Sequence, residues 1–221
     1  MDELNQLNEA VHQVFSRRNA ARDEALARAR LITRNAAHAI RAIHRGETGE
    51  AHTRLDEARR LVNTVIESLR EYPDLYFSGY TQDAIKEYVE ASLTCAIIEN
   101  QPLPTPEDLG AEYATYLNGL AEVPGELRRH CLDILRQGYS KEAEHLLAWM
   151  DEIYALLITI DYPDAITFGL RRQTDLVRGI VERTRGDLTL SLREERLHRS
   201  MKALSILLPN GEDYDGTNSS F

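Results

Sequence analysis

The chain has 221 residues, with 36 Asp and Glu against 26 Lys and Arg and a formal net charge of −10. A surface this acidic on average repels phosphate, which excludes a general coat for nucleic-acid duplexes; any nucleic-acid site must be a local basic patch or an enclosed lining. Lys86, Lys141 and Lys202 are the only lysines. The arginine preference suits bidentate phosphate contact, and it also fits the background composition of a salt-adapted organism.

The length suits one domain, expected over 1–208, with a polar tail, 209–221, expected to be disordered. From Leu4 to about Ile43, apolar residues at helical spacing predict one long helix or two nearly collinear ones. The glycine turn at Gly46 and Gly49 ends it, and a second helix carries Leu55, Ala58, Leu61, Val62, Val65 and Leu69. After Pro73 and Gly79, Thr81 is expected to open a third helix running to about Glu99. Thr105, Pro106 and Asp108 read as the start of a fourth, running to about Gln137. Gly138 and Ser140 give a stop and a restart for a fifth helix, the expected central element, through Leu146, Met150, Ile153, Leu157 and Ile160. Beyond Pro163 a last long helix carries Leu170, Val177, Val181 and Leu188 into a charged stretch at Arg193–Arg199. No alternating strand pattern or internal repeat occurs, so the expected fold is all-α, a bundle of about six to seven helices.

Cys95 and Cys131 sit singly in helical patterns, so they read as small core residues in a reducing cytoplasm rather than a disulfide framework or zinc site. No apolar run reaches membrane-spanning length, and a soluble, unexported, cytoplasmic protein is expected.

Within YVEASLTCAII, residues 88–98, Glu90 is the only charge in a run apolar on nearly every face. Such a helix is usually buried, and a buried carboxylate needs a cation, a hydrogen-bond partner or a raised pKa. Glu87 lies three residues earlier on nearly the same face, and the pair calls for a shared counter-ion: an arginine from another helix, the commoner solution, or a divalent metal. On the fourth helix Glu122 and Glu126 fall opposite the apolar stripe, with Thr115, Arg129 and Asp133, which reads as a solvated face. Pro124 between them should kink the helix. The spacing of Glu126 and His130 is read as incidental, and His12, His38, His44, His52, His145 and His198 as surface or capping residues. No phosphate-binding glycine loop, nucleophile elbow or zinc motif is present.

The stretches IKEYVEA and YLNGLAEVPGELRRHC resemble the core of the translin family, most closely its translin-associated factor X branch. RLITRNAAHAIRAIH resembles the family's early helix, and GLRRQTDLVRGIVERTRGDLTLSLR its carboxy-terminal helix, most closely in archaeal members. Together these cover most of residues 20 to 200. The resemblance implies a helical protomer that assembles into a hollow oligomer, typically an octamer, enclosing single-stranded RNA, with single-stranded DNA as a second ligand. It implies a Mg²⁺- or Mn²⁺-dependent endoribonuclease whose acids, carried over, are Glu87, Glu90, Glu122 and Glu126. The alternative is a non-catalytic binding oligomer, and a third reading is a structural bundle whose acids make only ion pairs. Two departures stand out. Glu122 replaces the aspartate usual in the catalytic subunit, and YFSGYTQD, residues 76–83, replaces a basic, histidine-rich cluster of translin. Nucleic acid is therefore expected to meet other residues: Arg17, Arg18 and Arg22, with Tyr76 and Phe77 stacking on bases.

Overall fold

The computed structural model describes residues 2–207. The expected tail, 209–221, and the end of the expected domain at 208 lie outside the described residues. Among these residues there are six long helices, α1 (Asp2–His44), α2 (Thr48–Ser68), α4 (Gly79–Ile98), α6 (Tyr113–Leu135), α7 (Lys141–Leu157) and α9 (Leu170–Leu207). Three single-turn helices join them: α3 (Pro73–Tyr76), α5 (Pro106–Leu109) and α8 (Asp164–Thr167). No strand interrupts the described residues, so the architecture is all-α, as the patterns predict. No helix among them is long and apolar enough to cross a membrane.

Local chemistry explains the boundaries. α1 stops where Gly46 takes φ 72° and the Glu47 amide donates to the Ala42 carbonyl, a glycine-closed helix end. Gly49, expected in that turn, already lies in the first turn of α2. Two expected starts are corrected. Thr81 does not cap α4, which begins at Gly79; its hydroxyl instead donates to the Leu75 carbonyl, tying α4 to α3. Thr105 does start a helix, in a reciprocal capping box with Asp108, but that helix is only α5, because Gly110 turns left-handed at φ 62° and ends it before α6 begins. Ser140 caps α7 by accepting from the Glu142 amide.

The core is continuous from Ala25 of α1 through Val62, Ile85, Leu127 and Met150 to Val181 and Leu188 of α9. α4 packs against α1, α2 and α6, while α6 also packs against α7 and α9. α4 and α6, rather than α7, therefore hold the centre. Both outermost arms lack cover: Leu4, Leu7, Val11, Val14 and Phe15 of α1 are exposed, and so are Leu190, Leu197, Met201, Leu204 and Ile206 of α9. Cys95 and Cys131 are buried free thiols in the core.

Candidate metal centre on the α4–α6 seam

α4 is covered on all sides, with Tyr88, Val89, Ala91, Leu93, Thr94 and Cys95 buried around Glu90, which is itself only 9% exposed. Its neighbour across the seam is α6, and Gly119 sets how closely the two approach. A Cβ there would lie 2.8 Å from the Val89 side chain and 2.9 Å from the Lys86 carbonyl oxygen, so a larger residue would force the helices apart. Glu122 follows one turn later on α6. The close crossing therefore carries its carboxylate to the face of α4 that bears Glu87 and Glu90.

One oxygen from each of Glu87, Glu90 and Glu122 lies within 4.8 Å of the others, and this grouping could hold a metal ion. Lys86, absent from the expected site, stands among them: its Nζ donates to Glu122 Oε1 at 2.6 Å and lies 3.8 Å from Glu87 Oε1. One ammonium cannot neutralise three carboxylates. Burial first, then the charges of Glu122, Glu87 and Glu126, push the Glu90 carboxyl up to about 8 against the lowering effect of Lys86. Burial likewise raises Glu87, with Glu122 and Asp83 adding to it and Lys86 opposing. Burial works to lower Lys86, but its hydrogen bond to Glu122 and the surrounding acids prevail and hold its pKa up. A hard divalent cation takes carboxylate oxygens and would relieve the excess negative charge, so this donor set fits Mg²⁺ or Mn²⁺.

Glu126, the fourth expected acid, is turned to a different partner. His44 Nε2 and Glu126 Oε2 are 2.6 Å apart, and the His44 side chain is 4% exposed. This corrects the expectation of a surface or capping histidine: the last turn of α1 delivers His44 into the seam. Its hydrogen bond, opposed by burial and helped by the His44 and Arg129 charges, lowers the Glu126 pKa. His130 lies beside His44, ring centroids 5.6 Å apart, rather than idle next to Glu126. The solvated-face reading of α6 is corrected as well. Thr115 is buried and the Glu122 and Glu126 side chains are only 24% and 25% exposed, because α6 is packed on more than one side. Arg129 does lie near Glu126, at 3.8 Å.

The expected nucleic-acid residues are spread out. Arg18 pairs with Asp74 of α3, Arg22 with Asp23 at 3.2 Å, and Arg17 lines a shallow exposed groove with His12, Gln13 and Ser16. Tyr76 packs against the core with its hydroxyl 3.4 Å from Glu112, while Phe77, edge-on to it, is exposed.

No family model matches the chain. It is 32% identical to an uncharacterized protein of Methanocaldococcus jannaschii over 208 residues, 93% of this chain and 90% of the relative. The fold matches AfC3PO in complex with duplex RNA at a TM-score of 0.78 with 34% identity, covering 88% of this chain and 98% of that one. AfC3PO alone gives 0.76 at the same identity, over 88% and 99% of the two chains. Both are translin-type proteins. The chain belongs to the translin family. A third family structure, apo-NeC3PO, matches at a TM-score of 0.75 with 24% identity, over 86% of this chain and 98% of that one, and shares the fold. The order of family segments read in the sequence thus corresponds to α1, α4, α6 and α9, the helices that build the seam and its support.

Proposed function

We propose that the protein is a metal-dependent endoribonuclease of the translin-associated factor X type, cutting short single-stranded RNA inside a homo-oligomeric shell, an octamer, in the cytoplasm. The observation that carries this reading is the meeting of Glu87, Glu90 and Glu122 oxygens within 4.8 Å where α4 and α6 cross. Glu87, Glu90 and Glu122 would hold Mg²⁺ or Mn²⁺, and Glu126, anchored by His44, would complete the acidic set. When bound, the ion supplies an activated water and neutralises charge on the scissile phosphate. Glu90 would have to lose its proton to join that ligand set, and Lys86 would offer a cationic donor to the phosphate. The uncovered apolar residues of α1 and α9 support self-association. A related protein, AfC3PO, is known with duplex RNA, so strandedness is part of the test.

A second reading, a non-catalytic RNA- or single-stranded-DNA-binding oligomer, is favoured by one contact: Lys86 already provides Glu122 with a cation at 2.6 Å. The two separate in one assay. End-labelled single-stranded and duplex RNA are incubated with the protein in Mg²⁺, Mn²⁺ or EDTA, beside Glu90→Gln. Cleavage of the single strand that needs metal and disappears in Glu90→Gln is the expected result. Equal binding by both proteins with no cutting at any metal concentration leaves the binding oligomer.

A further inference from the structure

Lys86 also lines a cleft of about 370 Å³, together with Gln82 of α4, Thr115 and Asn118 of α6, and two phenylalanines, Phe77 after α3 and Phe168 after α8. The phenylalanines form its rim, 57% and 69% exposed, whereas Thr115 and Asn118, 6% and 7% exposed, lie deep in it. Each exposed ring hangs on a backbone carbonyl that the cleft itself holds. Gln82 Nε2 donates to the Tyr76 carbonyl, immediately before Phe77, at 2.9 Å. Asn118 Nδ2 donates to the Thr167 carbonyl, immediately before Phe168, at 2.8 Å. Gln82 is fixed in turn by the Thr115 hydroxyl, which donates to its Oε1 at 2.5 Å. Phe168 takes a left-handed conformation, φ 51° and ψ 47°, which a phenylalanine adopts only when its surroundings impose it. Two large apolar rings are thus displayed to solvent on separately latched turns, an arrangement that core packing does not require.

We infer that this cleft seats one unpaired nucleobase of a bound strand, Phe77 and Phe168 supplying stacking faces beside the carboxylate cluster. The inference rests on the nucleic-acid-binding part of the proposed function and adds a base-recognising subsite to it. Its volume lies in the range of small-molecule sites, and rings held in advance lose little freedom on binding. A base presents a neutral π face, so stacking is available in a chain whose net charge repels the backbone. Asn118 spends its second N–H on the Ala114 carbonyl at 2.8 Å, which leaves its amide oxygen as an acceptor for a base N–H. Lys86 belongs to both features, so a base in the cleft places its own phosphates toward the acids. A base-paired nucleotide cannot enter, and the subsite therefore selects single strands or frayed ends.

The test uses the full-length protein and a single-stranded RNA bearing one 2-aminopurine, in EDTA so that no cleavage intervenes. Wild type should quench the fluorescence on binding, and a fully paired duplex carrying the same label should not be quenched. Phe77→Ala and Phe168→Ala should each lose most of the quenching and weaken binding about tenfold. Phe168→Gly removes the ring while relieving the left-handed backbone, so its thermal midpoint should not fall although its quenching does. Unchanged quenching in all three variants overturns the inference. So does a changed oligomer mass by light scattering in Phe168→Gly with RNA quenching intact, which would make the cleft a face between copies of the chain. A nuclease reading that fails while wild-type quenching persists leaves the subsite standing.

Discussion

Glu122 and Glu126 lie one turn apart on α6, similarly sheltered, yet the fold treats them differently. Glu122 meets a fixed cation, Lys86, at 2.6 Å, while Glu126 meets a neutral-capable imidazole, His44, at the same distance. Glu90, opposite both, has no hydrogen-bond partner of either kind among the described residues, and its pKa rises to about 8. One seam therefore has a compensated end, a titratable end and an uncompensated middle. Burial alone does not determine what a carboxylate becomes; the neighbour delivered by the next helix does.

The uncompensated middle should give the largest effect. Glu90 binds its proton more tightly folded, near 8, than unfolded, near the ordinary carboxyl value of 4.5. The stability this provides is full below about pH 4.5 and is lost as pH rises through about 8. Burial is the largest cause of that shift; Glu122, Glu87 and Glu126, which face it from α4 and α6, add to it, and Lys86 opposes it. Glu90→Gln should therefore be more stable than metal-free wild type by on the order of 4 kcal/mol at pH 9 and indistinguishable from it near pH 4.5. Urea titrations in EDTA at both pH values measure this. A constant difference between the two would mean that Glu90 is not held neutral by the seam.

Next is the contact that creates the seam. Gly119→Ala adds one methyl against Val89 and the Lys86 carbonyl. Better helix propensity should be outweighed by overpacking, with a net loss of about 1–3 kcal/mol. Mn²⁺-induced thermal stabilisation should shrink with it, since Glu122 is displaced from Glu87 and Glu90. A variant that is more stable and still takes up metal would show that the two helices can separate without cost to the site.

The sequence made α4 legible because Glu90 stands alone in an apolar run, and that solitary charge announced both burial and need. α6 was misread where the helical wheel assumes one buried face, whereas α4, α7 and α9 cover it from several directions. Gly110 could have signalled the break before α6, and Gly119, a glycine inside a helical pattern, could have signalled a close crossing. Lys86 was visible four residues before Glu90, but its bond to Glu122 spans 36 residues. His44 is 82 residues from Glu126. No local pattern reports pairings of that range, and only the packing of α1 and α6 against α4 makes them.

The compensated end should respond by about 1–2 kcal/mol. Lys86→Met keeps the aliphatic stem and leaves Glu122 without its cation, which costs roughly that much for a partly buried pair. If a divalent ion is the proper counter-charge of this cluster, Mn²⁺ should restore the loss in a thermal melt, and more strongly than it stabilises wild type, because the ammonium no longer competes for Glu122. Loss that no divalent ion recovers would make Lys86 the cluster's own counter-ion and favour the binding oligomer.

The smallest effect belongs to the titratable end. The hydrogen bond from His44 lowers the Glu126 pKa, so its stabilisation is present above the unfolded carboxylate pKa and disappears as pH falls through the lower folded value. His44→Gln substitutes a neutral amide, which can still donate one hydrogen bond but carries no charge. Glu126 should then titrate closer to the ordinary carboxylate range in a carbon-13 NMR titration, with stability at pH 7 lower by about 0.5–1 kcal/mol and the difference vanishing as pH falls through the folded value. An unmoved Glu126 titration would transfer its low pKa to Arg129, 3.8 Å away. In that case α1 contributes shape to the seam but no charge, and the contrast between Glu122 and Glu126 reduces to one between a half-buried cation and an exposed one.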